Sequence, residues 1–460
     1  MNCSINKKLF GSKELLIINY SLLILLSSCS ISKQISKDAN KTILSDSAAS
    51  KGFIGISIYD PATGKYLYNY NATKYFTPAS NTKLFSLYAG MKYLGDSLPG
   101  LRYLIRDNKM YVLPTGDPSF LNPEFSYQPA IGLLNKNNLP TTFTDANWKD
   151  EKYGVGWAWD DYNDDYMVER SSLPIYANLI TLSFKNETNQ SEGGSFIKPV
   201  PSIDLPPNLE STIFSTVGSG WDYFTVKRKI NSNDLDVYYS KKRSKFQSQI
   251  PLVTDGIHTA LNILNAKFPW VVKDGIFYSS DKQNSFNLIR SIPSDSLFRP
   301  MMHRSDNFFA EQTLLMASNE RLGYMNDKDI IDTLLKSDLK DIPQRPKWVD
   351  GSGLSRYNLF TPQSFIYILN KLRNEFGWDR VRNILPTGGQ GTLTSYFRKD
   401  SGFIYAKTGT LSNNCALSGV LVTNSGKLLI FSILANHYQT GATPIRQASE
   451  RFLEAIREKY

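Results

Sequence analysis

Apolar and polar positions alternate with a period near two at both ends of the folded part of the chain, and with a longer, helix-like spacing between them. This pattern predicts a mixed α/β protein. Phe53-Ile54-Gly55-Ile56-Ser57-Ile58-Tyr59 and Lys65–Tyr70 flank Asp60-Pro61-Ala62-Thr63-Gly64, whose Pro and Gly suit a turn, so they read as a hairpin. A second hairpin is expected from Ala416–Thr423 and Leu428–Ala435 around Asn424-Ser425-Gly426-Lys427, and a helix over Ile445–Tyr460 after Thr443-Pro444. Strands from the two ends of a chain commonly complete one sheet. Between them, Leu101 to about Leu252 is rich in Pro, Asn, Trp and Tyr with short strand-like runs. The pattern predicts a β-rich insertion, 101–252, into a domain built from 51–100 plus 253–460; a separate consecutive domain is the alternative. No internal repeat is present.

The first residues stand outside this pattern. Lys7, Lys8 and Lys13 precede the apolar run Leu15–Leu26, which is too short to span a bilayer comfortably and has the form of an export signal. The run ends in Leu26-Ser27-Ser28-Cys29, which resembles the lipobox of bacterial lipoproteins. Residues 1–29 are therefore expected to be a signal peptide with Cys29 as the lipidation site, and 30–50 a polar tether. Ser30 in place of an aspartate after Cys29 points to the periplasmic face of the outer membrane. With Cys3 and Cys29 so accounted for, Cys415 has no partner and reads as a small buried core residue. Stability then rests on core burial, which 460 residues with 41% hydrophobic content permit.

The formal net charge of +10, with clusters at Lys227-Arg228-Lys229 and Lys241-Lys242-Arg243-Ser244-Lys245, favours anionic surroundings such as cell wall or lipid headgroups. Each cluster reads as a solvated face. Neither accompanies a nucleic-acid motif, so no nucleic-acid partner is expected.

Ser80-Asn81-Thr82-Lys83 follows Thr77-Pro78-Ala79 and opens an amphipathic segment, Leu84–Leu94, so Ser80 is expected at a helix N-terminus. Residues i and i+3 share a helix face, which brings the Lys83 amine to the Ser80 hydroxyl as a base to a nucleophile. Taken alone this is weak, since Ser4, Ser30, Ser195, Ser279 and Ser337 also have a lysine three residues on. Ser80 is followed, in order, by the only Ser-Asp-Asn in the chain, Ser305-Asp306-Asn307, and the only Lys-Thr-Gly, Lys407-Thr408-Gly409. The three elements in that order form the signature of the penicillin-recognising serine enzymes. Ser305 suits a proton relay, Asn307 the holding of Lys83 and the substrate peptide bond, and Lys407 with Thr408 a terminal carboxylate. The backbone N–H of Thr410, beside Gly409, would pair with that of Ser80 as an oxyanion hole. Desolvation and a neighbouring Lys407 are expected to lower the pKa of Lys83.

On these motifs the chain resembles the D-alanyl-D-alanine carboxypeptidase and endopeptidase family of low-molecular-mass, class C penicillin-binding proteins. Gly116-Asp117-Pro118-Ser119, Gly156-Trp157-Ala158-Trp159-Asp160-Asp161, Asp350-Gly351-Ser352-Gly353-Leu354-Ser355-Arg356 and Gly391-Thr392-Leu393 look like the family's segments too. The resemblance implies a transpeptidase and β-lactamase-like α/β (α+β) domain, an antiparallel sheet with flanking helices, interrupted by two smaller, mainly β domains. It implies cleavage of the D-Ala-D-Ala end of peptidoglycan stem peptides or of the D-Ala to diamino-acid cross-link. It also implies covalent inhibition by β-lactams and no cofactor or metal. By the same resemblance Asp160 or Asp161 lies near the amino end of the substrate's diamino acid, and Arg356 lies in the cleft; a structural turn and a structural salt bridge are the alternatives. The oligomeric state stays open.

Two rival functions share the motifs. A serine β-lactamase needs a Glu-activated water, and no Glu-x-x-Leu-Asn follows Asn307. A non-catalytic lipoprotein that binds peptidoglycan or β-lactams would have no use for the complete set of Ser80, Lys83, Ser305, Asn307, Lys407 and Thr408.

Overall fold

The computed structural model describes residues 31–191, 194–204, 206–209, 211, 213–217, 225–239, 245–272 and 285–460. The signal-like segment with Cys29 and residues 241–244 of the second basic cluster lie outside them. In chain order the catalytic half comprises helix α1 (residues 31–39) with a π turn at Asn40–Leu44, strands β1 (Phe53–Asp60) and β2 (Lys65–Tyr70), and helices α2 (Lys83–Tyr93), α3 (Asn307–Leu322) and α4 (Pro362–Phe376). Strands β3 (Ile404–Leu411), β4 (Asn414–Val422) and β5 (Leu428–Asn436) and helix α5 (Ala442–Lys459) follow, and the shorter helices Ser294–His303, Asp327–Lys336 and Trp378–Ile384 pack into the same core.

Both expected hairpins form, and β1 pairs with β5, Phe53 opposite Asn436, so the two ends of the chain complete one antiparallel sheet in the order β3-β4-β5-β1-β2. Period-two alternation sends Cys415, Leu417 and Leu421 of β4 to one face and Ala416 and Val420 to the other, and both faces are buried. The first face is covered by Ile445, Ala448, Phe452 and Leu453 of α5, the second by α2, α3 and α4. Burial on both sides explains why these strands read as nearly continuous apolar runs. Cys415 is one of the buried residues, and burial pushes its thiol up to about 11.

The expected polar tether departs from the sequence reading. Residues 31–44 are helical, and Ile35, Ala39 and Ile43 are fully buried beneath α5. Spacing by four lines these three up as one stripe, which low average hydropathy conceals. Asp38 pairs with Lys459 at 2.5 Å and Asp46 with Arg451 at 2.9 Å, closing the seam.

The insertion is also longer than its composition suggests. The strand Ser97–Arg106 pairs on one side with Lys109–Pro114 and on the other with Asn287–Pro293, within a five-stranded sheet that also holds Thr141–Phe143 and Val271–Val272. The excursion thus leaves at Ser97 and returns at Pro293, and the described residues 253–272 and 285–293 pack with it rather than with the catalytic sheet. The helix His258–Lys267 places Leu261 and Leu264 in the same apolar cluster as Val112, Ile180 and Val237. Compositional change marks neither end, because the strands that close the excursion share the catalytic domain's composition.

Two three-stranded sheets complete the described insertion. In Thr225–Arg228, alternation turns Arg228 inward, where it donates to the carbonyls of Tyr162, Lys229 and Ile230, so this basic cluster is not wholly solvated. Insertion and catalytic half are joined by buried Arg170, whose guanidinium lies 2.9 Å from Asp150, 3.3 Å from Glu311 on α3 and 2.6 Å from Asp327.

Candidate active site

Ser80 sits not in the α-helix itself but in a 3-10 turn, Ala79–Thr82, that leads into α2 at Lys83. Three segments grip this turn. The Asn436 amide of β5 accepts from Thr77 N–H at 2.7 Å and donates to its carbonyl at 3.0 Å. Gly353, at φ +84°, passes so near that a Cβ would stand 1.9 Å from the Ala79 oxygen, and a Cβ on Gly409 would stand 2.6 Å from the Pro78 oxygen. Ala79 itself has φ +49°, a strained value immediately before the nucleophile. Buried Asn81 then fixes the turn to the sheet: its amide donates to the Lys407 carbonyl at 2.7 Å and accepts from the Ser418 hydroxyl at 2.7 Å.

Lys83 points into this assembly with no exposed surface. Its Nζ stands 2.9 Å from Ser80 Oγ, 2.6 Å from Asn307 Oδ1 and 2.7 Å from the Ser352 carbonyl. Burial lowers its pKa to about 8, against the opposing pull of Asp350, Glu311 and Asp306. Lys407 is not among the causes, although Lys83 does depress Lys407. Burial first, then the charges of Lys83 and Arg446, hold Lys407 well below the usual lysine range.

Asp306 caps α3 by accepting from Phe309 N–H at 2.9 Å, which sets Asn307 on the first turn, while Ser305 before it adopts φ +63°. The Ser305 hydroxyl accepts from Lys407 Nζ at 2.8 Å, and Lys407 also donates to the Thr408 carbonyl at 2.6 Å. The Asn307 amide nitrogen donates to the Tyr166 carbonyl of the insertion at 2.9 Å. Ser80, Lys83 and Asn307 thus form one hydrogen-bonded group and Ser305 with Lys407 a second, near enough for the charge of Lys83 to act on Lys407. Thr408 and Thr410 lie two positions apart on β3 and share its α5 side.

The remaining sequence candidates are placed less centrally. Burial, then Asp164 and to a smaller extent Asp161, raise the pKa of the Tyr166 hydroxyl, so Asp161 lies near the residue whose carbonyl holds Asn307. Asp160 and Arg356 are exposed, and among the described residues their side chains make no hydrogen bond or ion pair to the three motifs. Arg356 is tied to the Trp-containing segment only by its backbone N–H to the Gly156 carbonyl, at 3.4 Å. In that segment Trp157 donates to Asp350 at 2.9 Å. Tyr166, Asp165, Glu124 and Gln249 border a cavity of about 400 Å³ beside Ser305 and Asn307.

Sequence reasoning missed several members of the site. Glu311, one turn beyond Asn307 on the same helix face, is buried, accepts from Ser352 N–H at 2.7 Å and is pushed up to about 7 by burial and by Asp350. Its position four residues after Asn307 was the available signal. Asp350 accepts from Gly353 N–H at 2.9 Å and Ser355 N–H at 2.6 Å, shaping the loop whose Ser352 carbonyl holds Lys83. Arg170 and Tyr166 carried no local signal at all.

The comparisons agree with this geometry. A curated relative from Dictyostelium discoideum, penicillin-sensitive carboxypeptidase A, is 25% identical, the match covering 84% of this chain and 83% of the relative. The D-alanyl-D-alanine carboxypeptidase of Actinomadura sp. (strain R39) is 23% identical over 88% of this chain and 81% of its own. Among solved structures, penicillin binding protein 4 from Haemophilus influenzae superposes with a TM-score of 0.70 at 18% identity, covering 92% of this chain and 99% of that one, which shows the shared fold. The family model described as D-Ala-D-Ala carboxypeptidase 3 (S13) matches residues 37–456, and the chain belongs to that family of serine peptidases.

Proposed function

We propose that Ser80 carries the family's carboxypeptidase activity through an acyl-enzyme formed on peptidoglycan stem peptides. The observation that carries this reading is the placement of Lys83 Nζ at 2.9 Å from Ser80 Oγ, in a site dry enough to bring its pKa to about 8. In its neutral form the Lys83 amine accepts the Ser80 proton as Oγ attacks the carbonyl carbon of the penultimate D-Ala. Backbone N–H groups of Ser80 and Thr410 would take the developing oxyanion. As the C–N bond breaks, the proton returns to the departing D-Ala nitrogen through Ser305, which Lys407 orients. Water then attacks the ester by the reverse use of the same groups.

The D-Ala to diamino-acid cross-link presents the same bond, so endopeptidase activity belongs to this reading. Asp160 or Asp161 would receive the diamino acid's ammonium. Covalent inhibition by β-lactams follows from the same nucleophile, and the Haemophilus influenzae protein has been crystallised with a β-lactam. Export with acylation of Cys29, and residence at the periplasmic face of the outer membrane, rest on the sequence pattern alone. The test uses a peptide ending in D-Ala-D-Ala and a cross-linked muropeptide, with wild type beside Ser80→Ala. Wild type should release D-Ala and take up labelled penicillin, and Ser80→Ala should do neither; a wild-type protein inert in both assays would sink the proposal.

A further inference from the structure

Lys407 was expected to bind the substrate carboxylate, yet its side chain has no exposed surface and its amine serves Ser305 Oγ at 2.8 Å and the Thr408 carbonyl at 2.6 Å. It lies on the α2 side of β3, opposite Ser418, whereas Thr408 and Thr410 lie on the α5 side, opposite Leu417 and Cys415. On that second side stands a different cation. Arg446, in the first turns of α5, donates from Nη2 to the Thr410 hydroxyl and lies with its guanidinium 5.8 Å from the centre of the Tyr396 ring. Thr408, Tyr396 and Arg446 border one common gap. Arg446 is half-buried, and among the described residues it forms no ion pair with a carboxylate.

We propose that Arg446, with the hydroxyls of Thr408 and Thr410, holds the terminal carboxylate of the substrate, leaving Lys407 to orient Ser305. The inference rests on the acyl-enzyme reading and assigns its carboxylate site. A guanidinium offers paired, always charged donors whose fork matches a carboxylate, and the stem of Arg446 is already oriented by Tyr396 and Thr410. A compact amine with no exposed surface, already engaged by Ser305 Oγ and the Thr408 carbonyl, suits the orienting of Ser305 better. The depressed pKa of Lys407 agrees with this division, because burial disfavours the charged form that an anion would need.

The test compares wild type, Arg446→Ala and Arg446→Lys on a D-Ala-D-Ala peptide with a free carboxylate and on the same peptide amidated at its C-terminus. A charge-assisted hydrogen bond at a half-exposed site should be worth about tenfold, appearing in KM more than in kcat. Arg446→Ala should therefore lose about tenfold in kcat/KM on the free acid and less than about twofold on the amide, with Arg446→Lys between. Wild-type turnover of the acid should also fall with added salt, and that dependence should flatten in Arg446→Ala, a readout that stands even where the amide is turned over too slowly to follow. An Arg446→Ala protein that matches wild type on the acid, or keeps its full salt dependence, overturns the assignment. So does one that loses equally on both peptides. A wild type that releases no D-Ala refutes the acyl-enzyme reading instead.

Discussion

Acylation should accelerate with pH through the titration of Lys83, and Glu311 should set where that rise falls. With a pKa of about 8, roughly one Lys83 amine in eleven is neutral at pH 7 and roughly ten in eleven at pH 9, a gain of about tenfold. Glu311 and Lys83 touch the same residue, Glu311 through Ser352 N–H at 2.7 Å and Lys83 through the Ser352 carbonyl at 2.7 Å. Bond lengths then confine the two charges to within about 10 Å of each other. At an effective dielectric of about 20 that separation is worth about 1.7 kcal/mol, or about one pKa unit before the opposing charge of Arg170 is counted. Glu311→Gln keeps an acceptor for Ser352 N–H and removes the charge. Because the carboxylate favours the protonated amine, its loss lowers the Lys83 pKa. Single-turnover acylation by a fluorescent penicillin, followed from about pH 6 to about pH 10, should therefore be two- to threefold faster than wild type near pH 7.5 and unchanged above about pH 9. A midpoint that stays in place or moves upward would refute the electrostatic argument, and a wild-type rate that falls with pH would remove Lys83 from the role of base.

Two further perturbations test the scaffold around the site. Arg170→Met strands Asp150, Glu311 and Asp327 without their cation, so it should cost about 3–5 kcal/mol in denaturant unfolding near neutral pH. The stranded carboxylates would titrate above their unfolded values, so the loss should shrink as pH falls and they take up protons; an equal loss at about pH 5 and pH 8 counts against the network. Gly353→Ala places a Cβ 1.9 Å from the Ala79 oxygen at a φ of +84°, and should slow acylation at least about tenfold while the circular dichroism stays native. Near-normal acylation would show that the strained turn before Ser80 does not need its present position.

Much of this protein was determined by the sequence itself. Three short motifs in order named the nucleophile, its base and the relay, because acyl transfer by an unaided serine needs those groups and few others supply them. Local periodicity likewise gave both hairpins of the catalytic sheet and the C-terminal helix, since a strand buried on both faces and an amphipathic helix each leave a local trace. The stripe of Ile35, Ala39 and Ile43 left such a trace too, but its surface for docking is α5, some 400 residues away in the chain. The end of the insertion at Pro293 was hidden for a related reason: closure of the sheet is a pairing between Ser97–Arg106 and Asn287–Pro293, and pairing has no local signature. What only the tertiary structure decided at Ser80 is how the proton and the charge are shared out. Burial makes Lys83 a usable base, Glu311 and Asp350 limit how far, Asn307 spends its amide nitrogen on Tyr166, and Arg446 arrives from the last helix beside the threonines of β3. Each of these is set by desolvation and by contacts between distant segments, quantities that exist only once the chain has folded.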